Sequence, residues 1–206
     1  MSRWPAPGRC KRRLAAGIGA GTAARVQRRL TDHTLAVARQ ARQRLHDPPL
    51  RLVLAVEGLA PRAARRWGHR LGVDQVELQG AGGLALRLRR QLQRAWRQGA
   101  SGVVLIGSDL PDLQVDDLLA AQAALASTPL VIGPAVDGGY WLIGLGRPLL
   151  GRQGLPLLCG RGSAIPWGTA GVLDHTLAAA SAAGLAAQPL SQRRDLDRSA
   201  DLVLWR

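Results

Sequence analysis

The spacing of apolar residues along the chain predicts helices and strands that alternate. Residues 22–45 carry apolar side chains at three- and four-residue steps, the period of a helix, and the apolar run 52–56 follows as a buried strand. The other predicted helices are 61–71, 84–98, 115–127 and 172–183, and the other predicted strands are 73–78, 103–106, 130–132 and 140–145. Continuously apolar strands that alternate with helices are typical of a mostly parallel sheet covered on both faces. We therefore predict a three-layer α/β fold in a single domain of residues 1–206.

The composition is that of a folded protein without a membrane span. Hydrophobic residues make up 47% of the 206 residues and the mean hydropathy is −0.01, which is enough for a core. No stretch approaches the roughly 18 uninterrupted apolar residues that a membrane span needs. Residues 1–5 are not followed by the apolar segment of a secretory signal peptide, so we expect a cytoplasmic protein. Cys10 and Cys159 are too few for a disulfide framework, and we interpret both as free thiols.

The net charge of +14 is concentrated in the first half of the chain. Residues 1–100 contain 21 Lys and Arg against 5 Asp and Glu, whereas residues 101–206 contain 7 against 9. Lysine occurs once among the 28 basic residues, a bias that codon usage poor in A and T produces without selection for function. Aromatic residues are 3% of the chain, too few to alternate with the arginines as a base-stacking surface requires. We expect no nucleic-acid partner and keep RNA or DNA binding as an alternative.

Candidate chemistry follows the predicted strands, because ligands of such sheets bind at the carboxyl ends of the strands. Asp109 comes shortly after the strand 103–106, and its carboxylate is a suitable ligand for Mg²⁺ or Mn²⁺ when substrate phosphates fill the other positions. Asp137, Gly138 and Gly139 follow the strand 130–132. The two glycines permit a ligand to approach the backbone closely. An Asp-Gly pair is also a common hairpin turn, and the residues alone leave both interpretations open.

Segment 5–14, with the sequence Pro-Ala-Pro-Gly-Arg-Cys-Lys-Arg-Arg-Leu, combines a stiff turn, a glycine and several cations. Such a segment suits a polyphosphate. It is not a P-loop, because the Gly-x-x-x-x-Gly-Lys-Ser/Thr spacing is absent. Taken alone, the segment is simply basic.

Several segments together resemble one bacterial family. They are segment 5–14, segment 79–87 with Gln-Gly-x-Gly-x-Leu-x-x-Arg, segment 107–113 with Gly-Ser-Asp-x-Pro-Asp-Leu, segment 133–144 with Gly-Pro-x-x-Asp-Gly-Gly-Tyr-Trp-Leu-Ile-Gly, and the shorter segments 166–169 and 195–202. Their order resembles a family of small GT-A-type proteins, formerly a domain of unknown function, whose members are often labelled glycosyltransferases of arsenosugar biosynthesis. The family is related to 2-phospholactate guanylyltransferase and to the molybdenum-cofactor guanylyltransferases. The resemblance implies a nucleotide-diphospho-sugar transferase fold.

The resemblance also implies roles for individual residues. The implied nucleotide-binding residues are Gly8, Lys11, Arg13, Gln79, Gly82 and Arg87. Asp109 would hold Mg²⁺ or Mn²⁺, with Asp195 or Asp197 completing the metal site. Asp137 and Asp197 would be catalytic, and the implied substrate-binding residues are Gly138, Gly139 and Trp167. The implied partners are a nucleotide sugar or an NTP and a small-molecule acceptor, and the oligomeric state is left open.

The implied activity is that of a metal-dependent glycosyltransferase with a nucleotide-sugar donor. The alternatives are a nucleotidyltransferase resembling 2-phospholactate guanylyltransferase, which would release pyrophosphate, and a degenerate nucleotide-binding protein without turnover. Two departures from the family support the last alternative: members usually have Lys-Thr-Arg-Leu at segment 11–14 and Gly-Asp-Leu-Gly at segment 82–85. The family also begins with an apolar strand, whereas only residues 1–4 precede Pro5 here. We therefore expect the first strand of the sheet to be missing.

Overall fold

A computed structural model describes residues 1–45, 49–150 and 165–205. These residues belong to two compact units. Unit 1 comprises Met1–Leu78, Gly107–Asp116 and Asp195–Arg206, and unit 2 comprises Gln79–Ile106 and Asp117–Arg194. The predicted single domain is not tested by this grouping and stays a prediction.

Helices and strands mostly alternate along the described residues, as the apolar pattern predicts. The helices are α1 (Arg12–Ile18), α2 (Ala20–Arg44), α3 (Pro61–Arg70), α4 (Leu84–Arg97), α5 (Val115–Leu125), α6 (Arg147–Leu150), α7 (Val172–Ala182) and a final 3₁₀ helix (Ser199–Trp205). The strands are β1 (Ser2–Arg3), β2 (Val53–Glu57), β3 (Gln75–Leu78), β4 (Gly102–Ile106), β5 (Leu130–Pro134), β6 (Tyr140–Gly146) and β7 (Ala187–Pro189).

Unit 1 contains a parallel sheet in the order β1-β2-β3. Leu54 and Val56 of β2 are buried with Leu35 of α2 and with Ala64 and Trp67 of α3. One cluster therefore joins the sheet to two helices. A second cluster packs the final segment of the chain against α1 and α2, and its buried members are Leu14, Ala23, Leu30 and Leu196.

The first strand is present, so the expectation that it would be missing is wrong. Ser2 pairs with Val56 and Arg3 with Glu57 in parallel, and the amide of Trp4 donates a 2.8 Å hydrogen bond to the Glu57 carbonyl. Ser2 is only 4% exposed, and its hydroxyl contacts the hydroxyls of Thr31 (2.9 Å) and Ser108 (3.1 Å). Because those partners satisfy the serine, a polar residue can occupy a buried strand position.

Unit 2 contains a sheet in the order β4-β6-β5-β7. β6 pairs antiparallel with β4 and β5, while β5 pairs in parallel with β7. Together with unit 1, three of the five pairings between described strands are parallel, and the mostly parallel α/β fold is confirmed. The core of unit 2 joins α4, β5, β6 and α7, and its buried members include Leu92, Ile132, Ile143 and Val172.

The elements that the pattern does not predict are short or lack an apolar stripe. α1, α6, β7 and the final 3₁₀ helix belong to this group. α1 is separated from α2 by Gly19, whose φ of 81° breaks the helical backbone. The interpretation of Cys159 as a free thiol lies outside the described residues. Across residues 1–45, 49–150 and 165–205, the structure has no helix of the length and apolar character required to cross a bilayer.

Candidate functional site

Lys11 is held in an unusual backbone conformation at the start of α1. Its φ and ψ are 46° and 48°, and it is the single non-glycine residue with a positive φ among those described. The preceding loop turns through hydrogen bonds from Ala6 N to the Trp4 carbonyl and from Arg9 N to the Ala6 carbonyl. A left-handed conformation costs a lysine roughly 1–2 kcal/mol. Such strain persists where surrounding contacts hold the residue, and it is concentrated at functional sites.

The contacts that hold Lys11 are made by its side chain, which is only 4% exposed. The ammonium nitrogen lies 2.6 Å from Oδ1 of Asp109 and donates a 2.5 Å hydrogen bond to the Leu196 carbonyl. The amide of Leu196 in turn donates a 2.9 Å hydrogen bond to the Asp109 carbonyl. Three distant parts of the chain therefore meet at this amine. An ammonium group carries three N–H donors, and these two contacts use two of them.

Asp109 presents its carboxylate to solvent in front of the buried amine. Its side chain is 48% exposed. The residue before it, Ser108, is 5% exposed and accepts a 3.0 Å hydrogen bond from the Gln27 amide. Gln27 is also buried and lies 3.3 Å from the hydroxyl of Thr31, which contacts Ser2. A buried network of four polar side chains thus positions the segment that carries Asp109, and each member supplies a partner to another.

The second predicted cation of unit 1, Arg13, pairs with a predicted acid. Its guanidinium lies 2.9 Å from Oδ2 of Asp197, and both side chains are substantially exposed. The amides of Asp197 and Arg198 donate to a carboxylate oxygen of Asp201, at 2.9 and 2.7 Å. This carboxylate fixes the backbone that carries Asp197. Exposed ion pairs contribute little to stability, so Arg13 and Asp197 can exchange partners at low cost.

The acids of unit 1 do not form a closed metal centre. Within the described ranges, no group of three or more His, Cys, Asp or Glu side chains is placed to hold a metal ion. Asp109 is engaged by Lys11 and Asp197 by Arg13. Mg²⁺ usually binds through one or two carboxylates, with substrate phosphates and water as its other ligands. Asp109 and Asp197 are therefore the carboxylates of the predicted metal site that could contribute to a cation whose other ligands come from a substrate and water.

Cys10 lies directly before Lys11 and is 1% exposed. Its thiol faces the Ala6 carbonyl at 3.4 Å. Burial raises the pKa of the Cys10 thiol above its ordinary value, against the opposing effect of Arg3. A thiol in this state is a poor nucleophile at neutral pH, so Cys10 is a packing residue of the loop.

In unit 2, the predicted residues Gln79, Gly82 and Arg87 lie in and beside the loop before α4. Arg87 Nε donates a 2.8 Å hydrogen bond to the Gly82 carbonyl. Arg90, which the sequence analysis does not single out, donates to the carbonyls of Gln79 (3.1 Å) and Ala81. Gly80 and Gly82 have φ values of 77° and 104°, and these values explain why glycines occupy this turn. The two arginines hold the loop in shape.

Asp137, Gly138 and Gly139 form the turn between the antiparallel strands β5 and β6. Oδ1 of Asp137 accepts a 3.0 Å hydrogen bond from Gly139 N, as in an Asx turn. Gly138 has a φ of 85°, and a Cβ atom there would lie 2.0 Å from the Ala170 carbonyl oxygen. The hairpin interpretation of this segment is confirmed, and its role in substrate binding stays a prediction. Trp167 packs edge-on against Tyr140, with ring centroids 6.1 Å apart.

The structure therefore brings together some predicted site residues within each unit. Unit 1 joins Lys11 to Asp109 and Arg13 to Asp197, while Gly8 provides a positive φ of 73° in the loop before them. Unit 2 joins Gly82 to Arg87 and Asp137 to Gly139. Sequence reasoning missed the Leu196 carbonyl, because a main-chain acceptor has no residue-type signal. It also missed Gln27, whose buried amide looks like any other polar position of a long helix.

Comparison with known proteins supplies the family. The model of the family described as "Uncharacterized protein conserved in bacteria (DUF2064)" matches residues 38–155, more than half of the chain. Among curated proteins, no sequence matches this chain significantly. A candidate nucleotide-diphospho-sugar transferase from Desulfovibrio desulfuricans G20 is similar in structure, with a TM-score of 0.81 and 29% identity. The alignment covers 99% of this chain and 83% of that protein.

Two more distant structures share the fold. Glucosyl-3-phosphoglycerate synthase from Mycobacterium tuberculosis, solved with Mn²⁺, UDP and phosphoglyceric acid, has a TM-score of 0.53 at 15% identity, over 84% of this chain and 69% of that one. CMP:2-keto-3-deoxy-manno-octonic acid synthetase, solved with CTP, has a TM-score of 0.54 at 10% identity, over 85% of each chain. The first transfers a glycosyl group and the second a nucleotidyl group, so the fold carries both chemistries. This chain belongs to the bacterial DUF2064 family, and its fold is that of the GT-A-type nucleotide-diphospho-sugar transferases.

Proposed function

We propose that this protein is a metal-dependent glycosyltransferase that uses a nucleotide-sugar donor. The observation that supports the proposal best is the buried Lys11 amine, 2.6 Å from the half-exposed carboxylate of Asp109. The 29% identity to the candidate nucleotide-diphospho-sugar transferase from Desulfovibrio desulfuricans supports the same class of donor. The link to arsenosugar biosynthesis stays an implication of the family resemblance.

The Lys11–Asp109 pair suits a diphosphate that arrives with a divalent cation. The carboxylate of Asp109 faces solvent and would hold Mg²⁺ or Mn²⁺ together with phosphate oxygens. Lys11 has a third N–H donor for a phosphate oxygen, and Arg13, whose side chain is 65% exposed, offers a second cation nearby in sequence. When bound, the metal ion would neutralise phosphate charge as the bond to the sugar breaks.

In the proposed reaction, the bond between the anomeric carbon and the phosphate oxygen breaks. The nucleoside diphosphate leaves with the electron pair, and a hydroxyl oxygen of the acceptor forms the new bond to the carbon. The acceptor proton goes to a carboxylate, for which Asp137 and Asp197 are the proposed candidates. Lys11 and Arg13 stabilise the negative charge that grows on the leaving group.

The family resemblance also supports binding roles for other residues, and we propose these roles with it. The proposed nucleotide-binding residues are Gly8, Gln79, Gly82 and Arg87, and the proposed substrate-binding residues are Gly138, Gly139 and Trp167.

Product identification tests this proposal. The protein is incubated with Mn²⁺, a panel of nucleotide sugars and NTPs, and candidate acceptors, and the released nucleotide is identified by mass spectrometry. A glycosyltransferase releases a nucleoside diphosphate from a nucleotide sugar. Release of pyrophosphate from an NTP would assign a nucleotidyltransferase instead. Nucleotide binding without any product would assign a binding protein that has lost turnover.

A further inference from the structure

One concave surface of unit 1 is lined by residues that have no role in the proposed reaction. It is an open cavity of about 490 Å³ lined by Trp4, Leu59, Ala63, Arg66, His69 and Arg70. Four of these residues lie along one stripe of α3, and Trp4 and Leu59 follow β1 and β2 in the chain. A volume of this size is typical of small-molecule sites.

The apolar wall of the cavity is held in place by aromatic packing and a backbone hydrogen bond. The indole of Trp4 packs edge-on against the buried Trp67, with centroids 5.0 Å apart and an interplanar angle of 87°. The amide of Trp4 is also held by the Glu57 carbonyl at 2.8 Å. Trp4 and Leu59 both pack against the buried cluster of the sheet and α3. A ligand would therefore meet a preformed aromatic and aliphatic surface, which lowers the entropy cost of binding.

The basic wall of the cavity has no anionic partner within the described part of the chain. Arg66 and Arg70 make no ion pair and no side-chain hydrogen bond there, and α3 contains no acidic residue. Two acids of unit 1 pair with other arginines, in Arg3–Glu57 and Arg42–Asp74. Arg66 and Arg70 can therefore pair with an external anion in the cavity, and their planar donors suit a phosphate or a carboxylate.

We propose that this cavity binds a small organic anion with an aromatic or apolar body. Its phosphate or carboxylate group pairs with Arg66 and Arg70, and its apolar body packs on Trp4 and Leu59. The concave shape favours a small molecule over a nucleic-acid strand, which needs an extended basic surface with several stacking aromatics. Its lining residues do not include Lys11, Asp109 or Arg13 of the nucleotide site proposed above.

The test uses the full chain with 1-naphthyl phosphate as the probe in calorimetric titration. Two double variants each remove two cations from α3: Arg66→Gln with Arg70→Gln alters the cavity wall, and Arg62→Gln with Arg65→Gln leaves it intact. We expect the first pair to weaken probe binding about tenfold or more and the second to change it by less than about threefold. Equal weakening by both pairs, or no binding to the wild-type protein at millimolar probe, would overturn the proposal.

Two further probes separate the sources of affinity. Inorganic phosphate should bind more weakly than 1-naphthyl phosphate. Equal affinities would show that Trp4 and Leu59 do not contribute to binding, which would contradict the proposal. A single-stranded oligonucleotide that displaces the probe, with an affinity that falls steeply with salt, would assign the surface to nucleic acid instead. Thermal melts of both double variants check that each is folded. Failure of these experiments leaves the transferase assay unaffected, because none of the altered residues belongs to the Lys11 site.

Discussion

The ammonium of Lys11 lies 2.6 Å from the carboxylate of Asp109, with the lysine buried and the aspartate half-exposed. In this order the anion faces solvent and the cation stands behind it. In the proposed complex, a metal ion carried by a nucleotide would contact the carboxylate of Asp109. A phosphate oxygen of the nucleotide would accept a hydrogen bond from the ammonium of Lys11. The same pair also ties the start of α1 to the segment after β4 and, through the Leu196 carbonyl, to the final segment of the chain.

Replacing Asp109 by Asn should strongly weaken metal-dependent nucleotide binding and leave the fold intact. The amide oxygen of Asn can still accept from Lys11, but it is a much weaker ligand for a hard cation. We expect the affinity for nucleotide with Mn²⁺ to fall about a hundredfold, which corresponds to about 2.7 kcal/mol. Calorimetric titration measures it, with Asp116→Asn as the control because that exposed carboxylate lies in the same segment of unit 1. Unchanged affinity in Asp109→Asn would remove this residue from the site.

Replacing Lys11 by Met should weaken nucleotide binding whether or not metal is present. Methionine fills the buried space of the lysine stem but carries no charge, so the contact with phosphate is lost. A hydrogen bond to a charged group contributes about 1.5–3 kcal/mol, and the affinity should therefore fall by about one to two orders of magnitude. Arg12→Met is the matched control, since Arg12 is adjacent and exposed. Similar losses from both variants would indicate an effect of net charge and not of a specific contact.

Stability should decrease in acid through Asp74. The carboxylate accepts a 2.8 Å hydrogen bond from Leu52 N and pairs with Arg42, and the bond from Leu52 is the main cause that lowers the pKa of Asp74. The contribution of this group to stability is complete above the ordinary Asp pKa of about 3.9 and is lost as the pH falls through its lowered folded pKa. Urea unfolding of wild type and Asp74→Asn should differ at neutral pH and converge in acid. A constant difference at every pH would contradict this assignment.

Gly138→Ala should destabilise the protein more than Gly168→Ala. Both glycines have φ values near 85°, at 85° and 87°, so both variants carry the same backbone strain. A Cβ at position 138 would lie 2.0 Å from the Ala170 carbonyl oxygen, whereas a Cβ at position 168 meets nothing within 4 Å. We expect a difference in the free energy of unfolding of about 1–3 kcal/mol from overpacking. Equal melting temperatures for the two variants would show that the turn and its neighbour can move apart freely.

Gln27→Ala should destabilise the protein and loosen the segment that carries Asp109. Its buried amide donates to the hydroxyl of Ser108 at 3.0 Å, and removing it takes away a buried partner at a cost of about 1–3 kcal/mol. Gln43→Ala is the control, because Gln43 is exposed on the same helix. Chemical denaturation gives the stabilities, and hydrogen exchange around residues 107–110 reports the local opening. If only global stability changed, the network would support the core without positioning the Asp109 segment.

The apolar pattern by itself determined the helices and strands that have a strong periodicity. The strand 103–106 and the helix 84–98 are found within one or two residues of β4 and α4, because burial of an apolar face decides them locally. The family resemblance, carried by the order of the motifs, likewise identified Lys11 as a candidate nucleotide-binding residue and Asp109 as a candidate metal ligand. Strand direction was not encoded in this pattern, and β6 runs antiparallel to both neighbours because a short turn connects it to β5.

Which polar groups contact one another depends on the tertiary fold. Ser2 and Arg3 have no apolar pattern of a strand, and they form β1 because β2 offers them a ladder and Thr31 and Ser108 satisfy the serine hydroxyl. The partners of Lys11 were equally hidden, since one of them is the main-chain carbonyl of Leu196, an atom that every residue type shares. Local sequence determines local conformation through backbone sterics and the burial of one face. The pairing of polar groups far apart in the chain depends on packing, which no local pattern of residue types records.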